Sequence, residues 1–115
     1  MDERILKWLF DINTAIEEVD SFFDNKQKIF SEHKKNNMLK RAIERELEII
    51  GEAVNRIIKQ DESFLLKIDD AKNIIGLRNQ IIHSYDNISD ENIWAILINH
   101  LPRLKTQIQA LLTEK

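Results

Sequence analysis

Apolar residues recur in alternating steps of three and four along four stretches of this 115-residue chain, with little to interrupt them. Ile5, Leu9, Ile12, Ile16, Val19 and Phe23 form the first stripe; Leu39, Ile43, Leu47, Ile50, Val54 and Ile57 form the second. The third holds Ala71, Ile74, Ile75, Leu77, Ile81 and Ile82, and the fourth Trp94, Leu97, Leu101, Leu104, Ile108 and Leu111. This period gathers each set on one side of an α-helix, and that side must be buried against another helix. Two glycines and one proline are too few for the tight turns of a β-rich fold. The expectation is an all-α antiparallel bundle of four main helices with a short fifth, and residues 1–115 forming one domain.

Several boundaries are legible. Ser89 is placed to cap the fourth helix, with Asp90 and Glu91 opposing its positive end. Asp69 or Asp70 is a candidate cap for the third. Residues 24–37 are polar apart from Ile29-Phe30 and read as a loop or an irregular start to the second helix; residues 60–68 read as the next connection. Pro102 falls inside the fourth stripe, where it should kink the helix or shift its start. Met38, Ala42 and Ile49 widen the second stripe, and Ile93, Ile96 and Ile98 widen the fourth, which favours a homodimer.

The chain has no cysteine, so disulfide, iron–sulfur and thiolate-zinc chemistry are excluded. Met1-Asp2-Glu3-Arg4 does not resemble a signal peptide, and no apolar run reaches the ~20 residues of a membrane span. The expectation is a cytoplasmic protein. A net charge of −3 argues against a general nucleic-acid binder. Residues 26–45 nevertheless carry seven basic side chains against two acidic ones. Such a stretch can meet phosphates locally, although a solvated helix face explains it as well.

Chemistry-bearing residues concentrate at the end of the third helix, in Arg78-Asn79-Gln80-Ile81-Ile82-His83-Ser84-Tyr85. Asn79 and His83 lie one turn apart, Arg78 is adjacent, and Tyr85 follows, so the four are expected in one neighbourhood. Histidine exchanges protons near neutral pH, and arginine offers a planar fork of donors to phosphate oxygens. RNA brings its own nucleophile, the 2′-hydroxyl, so a protein that moves protons and stabilises the phosphorane needs no metal or cofactor. No His/Asp/Glu cluster shows metal-ligand spacing. A structural role fits the same residues: Arg78 paired with a carboxylate of the second helix, His83 favoured by the helix C-terminus.

The R-N-x-x-x-H-x-Y pattern of residues 78–85 resembles the signature of HEPN domains, in the subgroup of the HepT toxins. Arg41-Ala42-Ile43-Glu44-Arg45-Glu46-Leu47-Glu48-Ile49-Ile50-Gly51-Glu52-Ala53 is similar to that subgroup's second helix, and Ile74-Ile75-Gly76-Leu77 also fits. The resemblance extends over about Asp2 to Leu112. The chain departs from the family at Ile68-Asp69-Asp70-Ala71, where relatives often carry a tryptophan, and at Ser84, often glycine. The resemblance implies a HEPN-like fold and a metal-independent RNA endonuclease, the toxin of a type VII-like toxin–antitoxin pair. His83 would be the acid/base, Arg78 would hold the phosphate, and Asn79 would position RNA or His83, with residues paired from two subunits across a dimer cleft. The implied partner is a minimal nucleotidyltransferase antitoxin that transfers AMP to Tyr85, placing a bulky anion beside Arg78. The alternative is a non-catalytic helical adaptor of a nucleotidyltransferase.

Other candidates read more plainly. Glu44, Glu48 and Glu52 recur every fourth residue and fit a solvated, ion-paired face, or one of them reaches the motif. Gly51 sits mid-helix at a cost of ~1 kcal/mol relative to alanine, which points to a close helix approach, at the dimer interface or elsewhere. His33, between Glu32 and Lys34, reads as a surface residue and His100 as structural or exposed. Trp8, Trp94, Phe22, Phe23 and Phe30 read as packing residues.

Overall fold

The computed structural model describes residues 1–83 and 89–114. Among them every regular element is helical: α1 (Glu3–Phe22), α2 (Phe30–Lys35), α3 (Asn37–Gln60), a 3-10 turn (Glu62–Leu65), α4 (Ala71–His83), α5 (Asp90–Ala95), a π-helical turn (Ile96–His100) and α6 (Leu101–Thr113). α5, the π turn and α6 run on without a break in helical backbone, since Ala95, Ile96 and Leu101 all keep right-handed helical angles. Four long helical elements therefore carry the four stripes. None of the described helices is long and apolar enough to cross a membrane.

The helix starts follow from local chemistry. Asp2 caps α1 by accepting from the Arg4 amide at 2.7 Å. Asn36 ends the short α2 and caps α3 through the Leu39 amide at 3.0 Å, and the Ser89 hydroxyl accepts from the Asn92 amide at 3.0 Å. The π turn ends two residues before Pro102. A proline there has no N–H for the Ile98 carbonyl and crowds it, and a wider turn relieves both.

α3 is the central helix, packing against both α1 and α4, while α1 also packs on α6. The pairs run antiparallel: Gln60 of α3 reaches Asp2 before α1, and Arg78 and Ile74 of α4 lie against Gly51 of α3. Leu9, Ile12, Val19, Ile43, Ile50, Val54, Ile57, Leu104 and Ile108 are all completely or almost completely enclosed. These are the stripe positions read from the sequence, now facing one another.

Two connections are more structured than their composition indicates. The polar stretch 24–37 contains α2, whose His33 is fully buried rather than on the surface. Its ring lies 5.5 Å from that of Trp94 and 6.3 Å from that of Phe30, and Trp94 in turn meets Phe23 edge-on. Neither ring nitrogen has a hydrogen-bond partner. Burial pushes the His33 pKa down, with Asp90 pulling it up and Lys40 pushing it lower. In the 60–68 connection, Phe64 and Ile68 plug the core.

Asp70 stands at the N-cap of α4, its carbonyl accepting from the Ile74 amide at 2.9 Å, but its side chain is engaged elsewhere. Its carboxylate is buried and receives Arg103 through Nε at 2.9 Å and Nη2 at 2.7 Å, with His100 Nδ1 at 3.0 Å. Burial works to raise the Asp70 pKa, but hydrogen bonds from Arg103 and His100 outweigh it and hold the carboxyl below its ordinary value. This cluster pins the start of α4 to the α5–α6 stretch.

Candidate active site

Arg78 lies on the flank of α4 that faces α3. A methyl group added at Gly51 would collide with Cβ and Cγ of Arg78 and crowd the Ile74 carbonyl oxygen at 3.2 Å. Gly51 is thus explained: its missing side chain is the seat of the Arg78 stem, an approach within the chain rather than at a dimer interface. The Arg78 Nε is buried without a hydrogen-bond partner among the described residues, while Nη1 donates to the Asn79 Oδ1 at 3.1 Å. The stem is rooted and the guanidinium end is held beside an exposed carboxamide.

His83 ends α4 and is exposed. Five residues separate it from Arg78, a turn of roughly 140° about the helix axis beyond one full revolution. The structure therefore brings Arg78 and Asn79 together, keeps His83 one turn from Asn79, and turns His83 away from Arg78. Within the chain the expected neighbourhood pairs Asn79 with each of the other two, while Arg78 and His83 stand apart around the helix. Tyr85 and Ser84 lie outside the described residues.

The α3 glutamates have partners of their own. Glu48 accepts from Arg45 at 3.1 Å, Glu52 from Arg56 at 2.7 Å, and Glu44 lies 3.8 Å from Arg41. They form the ion-paired face read from the sequence. Arg41, Arg45, Glu44 and Glu48 line a cleft of about 390 Å³ whose floor is Ile81 and Ile82 of α4. Burial raises the Glu44 pKa, with Arg41 opposing. Much of the basic 26–45 stretch is also spoken for: Lys28 bonds Asp20 at 2.7 Å, and Lys40 bonds Asp90 at 3.2 Å.

Sequence reading missed two polar clusters. The first is Asp70–His100–Arg103. Its only local signal was the three-residue spacing of His100 and Arg103 on one helix face; their carboxylate partner lies 30 residues upstream. The second is the buried Glu46 on α3, whose pKa is pushed up to about 7 by burial, by a hydrogen bond with Glu18 and by the charge of Glu18.

A polar helix end of this kind occurs in many bundles, and comparison with known proteins decides what it belongs to. The profile of the HepT-like ribonucleases matches residues 12–111. The chain belongs to the HepT-like ribonuclease family. A candidate RNase of Methanocaldococcus jannaschii is 35% identical over 112 residues, covering 95% of this chain and 98% of the relative. A candidate RNase of Caldanaerobacter subterraneus subsp. tengcongensis is 34% identical over 86 residues, 75% of this chain and 76% of the relative. A second M. jannaschii candidate RNase is 31% identical over 109 residues, 93% and 86% of the two chains. No solved structure matches the chain. The HepT-like match spans all of α3 and α4, and with them Gly51, Arg78, Asn79 and His83.

Proposed function

We propose that this HepT-like protein is a metal-independent RNA endonuclease in which His83 moves protons, Arg78 holds the scissile phosphate and Asn79 orients the Arg78 guanidinium. The observation that carries the reading is the seating of Arg78 on Gly51. A helix glycine is given up to root this one arginine stem, and the guanidinium is held by Asn79, with no carboxylate among the described residues paired to it. In the reaction the 2′-oxygen bonds to phosphorus, the bond from phosphorus to the 5′-oxygen breaks, and the 2′-hydroxyl proton leaves as another is delivered to the 5′-oxygen. A neutral imidazole serves as the base and an imidazolium as the acid. The guanidinium offsets the growing charge on the phosphorane. The product is a 2′,3′-cyclic phosphate.

The turn of roughly 140° between Arg78 and His83 favours a site built from two chains, each supplying the group the other aims elsewhere. Ile82 and, on α3, Met38 are exposed apolar residues near this end of the α3–α4 pair and suit a homodimer contact. In the same reading the protein is the toxin of a toxin–antitoxin pair, and a nucleotidyltransferase antitoxin silences it by transferring AMP to Tyr85. A phosphodiester there would compete with RNA for Arg78.

The test is incubation of purified antitoxin-free protein with total RNA in EDTA, beside Arg78→Ala and His83→Ala. Cleavage by the wild type with cyclic phosphate ends, falling at least about 10²-fold in either variant, is the expected result. Equal cleavage by the variants overturns the site. Absent cleavage with an unmodified Tyr85 peptide by mass overturns the ribonuclease reading in favour of a non-catalytic adaptor.

A further inference from the structure

α4 has a second flank. Away from α3 it faces α5 and the π turn across a groove of about 440 Å³. Asn73 and Gln80 of α4 and Asn92 of α5 bring three carboxamides to it, Lys72 an ammonium and His100 an imidazole, over a floor at Gly76. Three features mark this as a prepared surface. Gly76 has no packing reason to be glycine: an added Cβ would meet nothing within 4 Å. A mid-helix glycine costs ~1 kcal/mol relative to alanine, so the bare floor is kept at the expense of helix stability. The His100 ring is fixed by Asp70, itself buried and held by two bonds from Arg103, which leaves Nε2 as the nitrogen free to meet a ligand. His100 also closes the π turn, a local widening that often marks functional sites.

Lys72, Gly76, Gln80 and His83 follow one another in steps of four, four and three, so they share one stripe of α4. The groove therefore runs towards His83. Carboxamides present a donor and an acceptor side by side, which matches the edge of an unstacked base, adenine best of all, and lysine suits a backbone phosphate.

We propose that the α4–α5 groove is the subsite for the single-stranded RNA nucleotide next to the scissile phosphate, with Asn73, Gln80 and Asn92 reading the base edge, Lys72 holding its phosphate and His100 forming a fixed wall. The proposal rests on the ribonuclease reading and adds to it where the flanking nucleotide sits and which groups recognise it.

Full-length ¹⁵N-labelled His83→Ala protein is titrated with 5′-AMP and then 5′-UMP, following the side-chain amides of Asn73, Gln80 and Asn92 and the backbone amide of Gly76. The expected result is saturable shifts at these groups, with AMP about fivefold tighter than UMP. Gly76→Leu plugs the floor with a residue of better helix propensity and should abolish the shifts while the protein stays folded. In cleavage assays Gly76→Leu should raise KM with little change in kcat. Absent shifts, shifts confined to the basic 26–45 stretch, or unchanged binding in Gly76→Leu overturn the subsite. A groove that binds no nucleotide but whose plugging abolishes capture of a nucleotidyltransferase overturns it in favour of a protein-docking face. Failure of AMP binding by a protein that still cleaves RNA removes the groove alone. AMP binding by a protein that cleaves no RNA removes the ribonuclease reading and the groove's place beside a scissile bond.

Discussion

Gly51 and Glu46 lie five residues apart on α3 and show how much one position can decide. Gly51→Ala gains about 1 kcal/mol of helix propensity, yet the new methyl meets Arg78 Cβ and Cγ with no free space to enter. The net effect should be a loss of about 1–3 kcal/mol in urea unfolding, and RNA cleavage should fall more steeply than stability, because Arg78 loses its seat. A stable Gly51→Ala protein of full activity would show that the seating is incidental. At Glu46 the issue is charge. Its folded pKa, about 7, lies above that of an unfolded glutamate, so the folded chain holds the proton more tightly. The corresponding stability is fully present below pH ~4.5 and is lost as pH rises through about 7. Glu46→Gln keeps the shape and removes the titration. It should raise stability at pH 8 by on the order of 1–2 kcal/mol and change it little at pH 4.5, in paired thermal melts. Equal shifts at both pH values would mean that the carboxyl is not protonated in the fold.

Elements were legible where period alone defines them. The steps of three and four locate α1, α3, α4 and α6, because burial of one face follows directly from that spacing. They were opaque where partners come from far along the chain. His33 has Glu32 and two lysines as neighbours in sequence and reads as solvent-facing, but α2 folds it against Trp94, 61 residues away. Asp70 reads as a cap and does stand at the start of α4, but nothing near it in sequence points to His100 and Arg103 as partners of its carboxylate. The π turn was foreshadowed only by Pro102, and Gly51 signalled a close approach without naming Arg78 as its partner. The Asp70 cluster carries its own prediction. Asp70→Asn leaves Arg103 without its buried counter-charge and should cost about 2–3 kcal/mol at pH 7, a figure moderated by the half-exposed Arg103 side chain. The Asp70 pKa is depressed in the fold, so this stability is present above the unfolded value near 3.8 and disappears as pH falls through the lower folded value. Wild type and Asp70→Asn should therefore converge in acid. A constant gap down to pH 2 would assign the loss to packing instead of charge.

Arg78, Asn79 and His83 stand close in sequence, and the proposed mechanism has to reconcile their different directions. Helical spacing points Arg78 towards α3 and His83 towards the α4–α5 side, roughly 140° apart, so in the proposed mechanism the phosphate grip and the proton carrier of one chain face different directions. A symmetric pair of chains would solve this, with each Arg78 approaching the partner subunit's histidine across a twofold axis. Subunit mixing tests the arrangement without needing a structure of the complex. Arg78→Ala and His83→Ala proteins are unfolded together, refolded at equal amounts, and assayed at fixed total concentration above the dimerisation midpoint. If each site takes Arg78 from one chain and His83 from the other, half of the dimers are mixed and each holds one intact site of two, so the mixture regains about one quarter of the wild-type rate. If one chain supplies both groups, the mixture stays inactive. Dilution separates the same cases: a two-chain site loses rate per chain as dimers dissociate, whereas a one-chain site keeps it. An inactive mixture together with a concentration-independent wild-type rate would place Arg78 and His83 in one subunit after all.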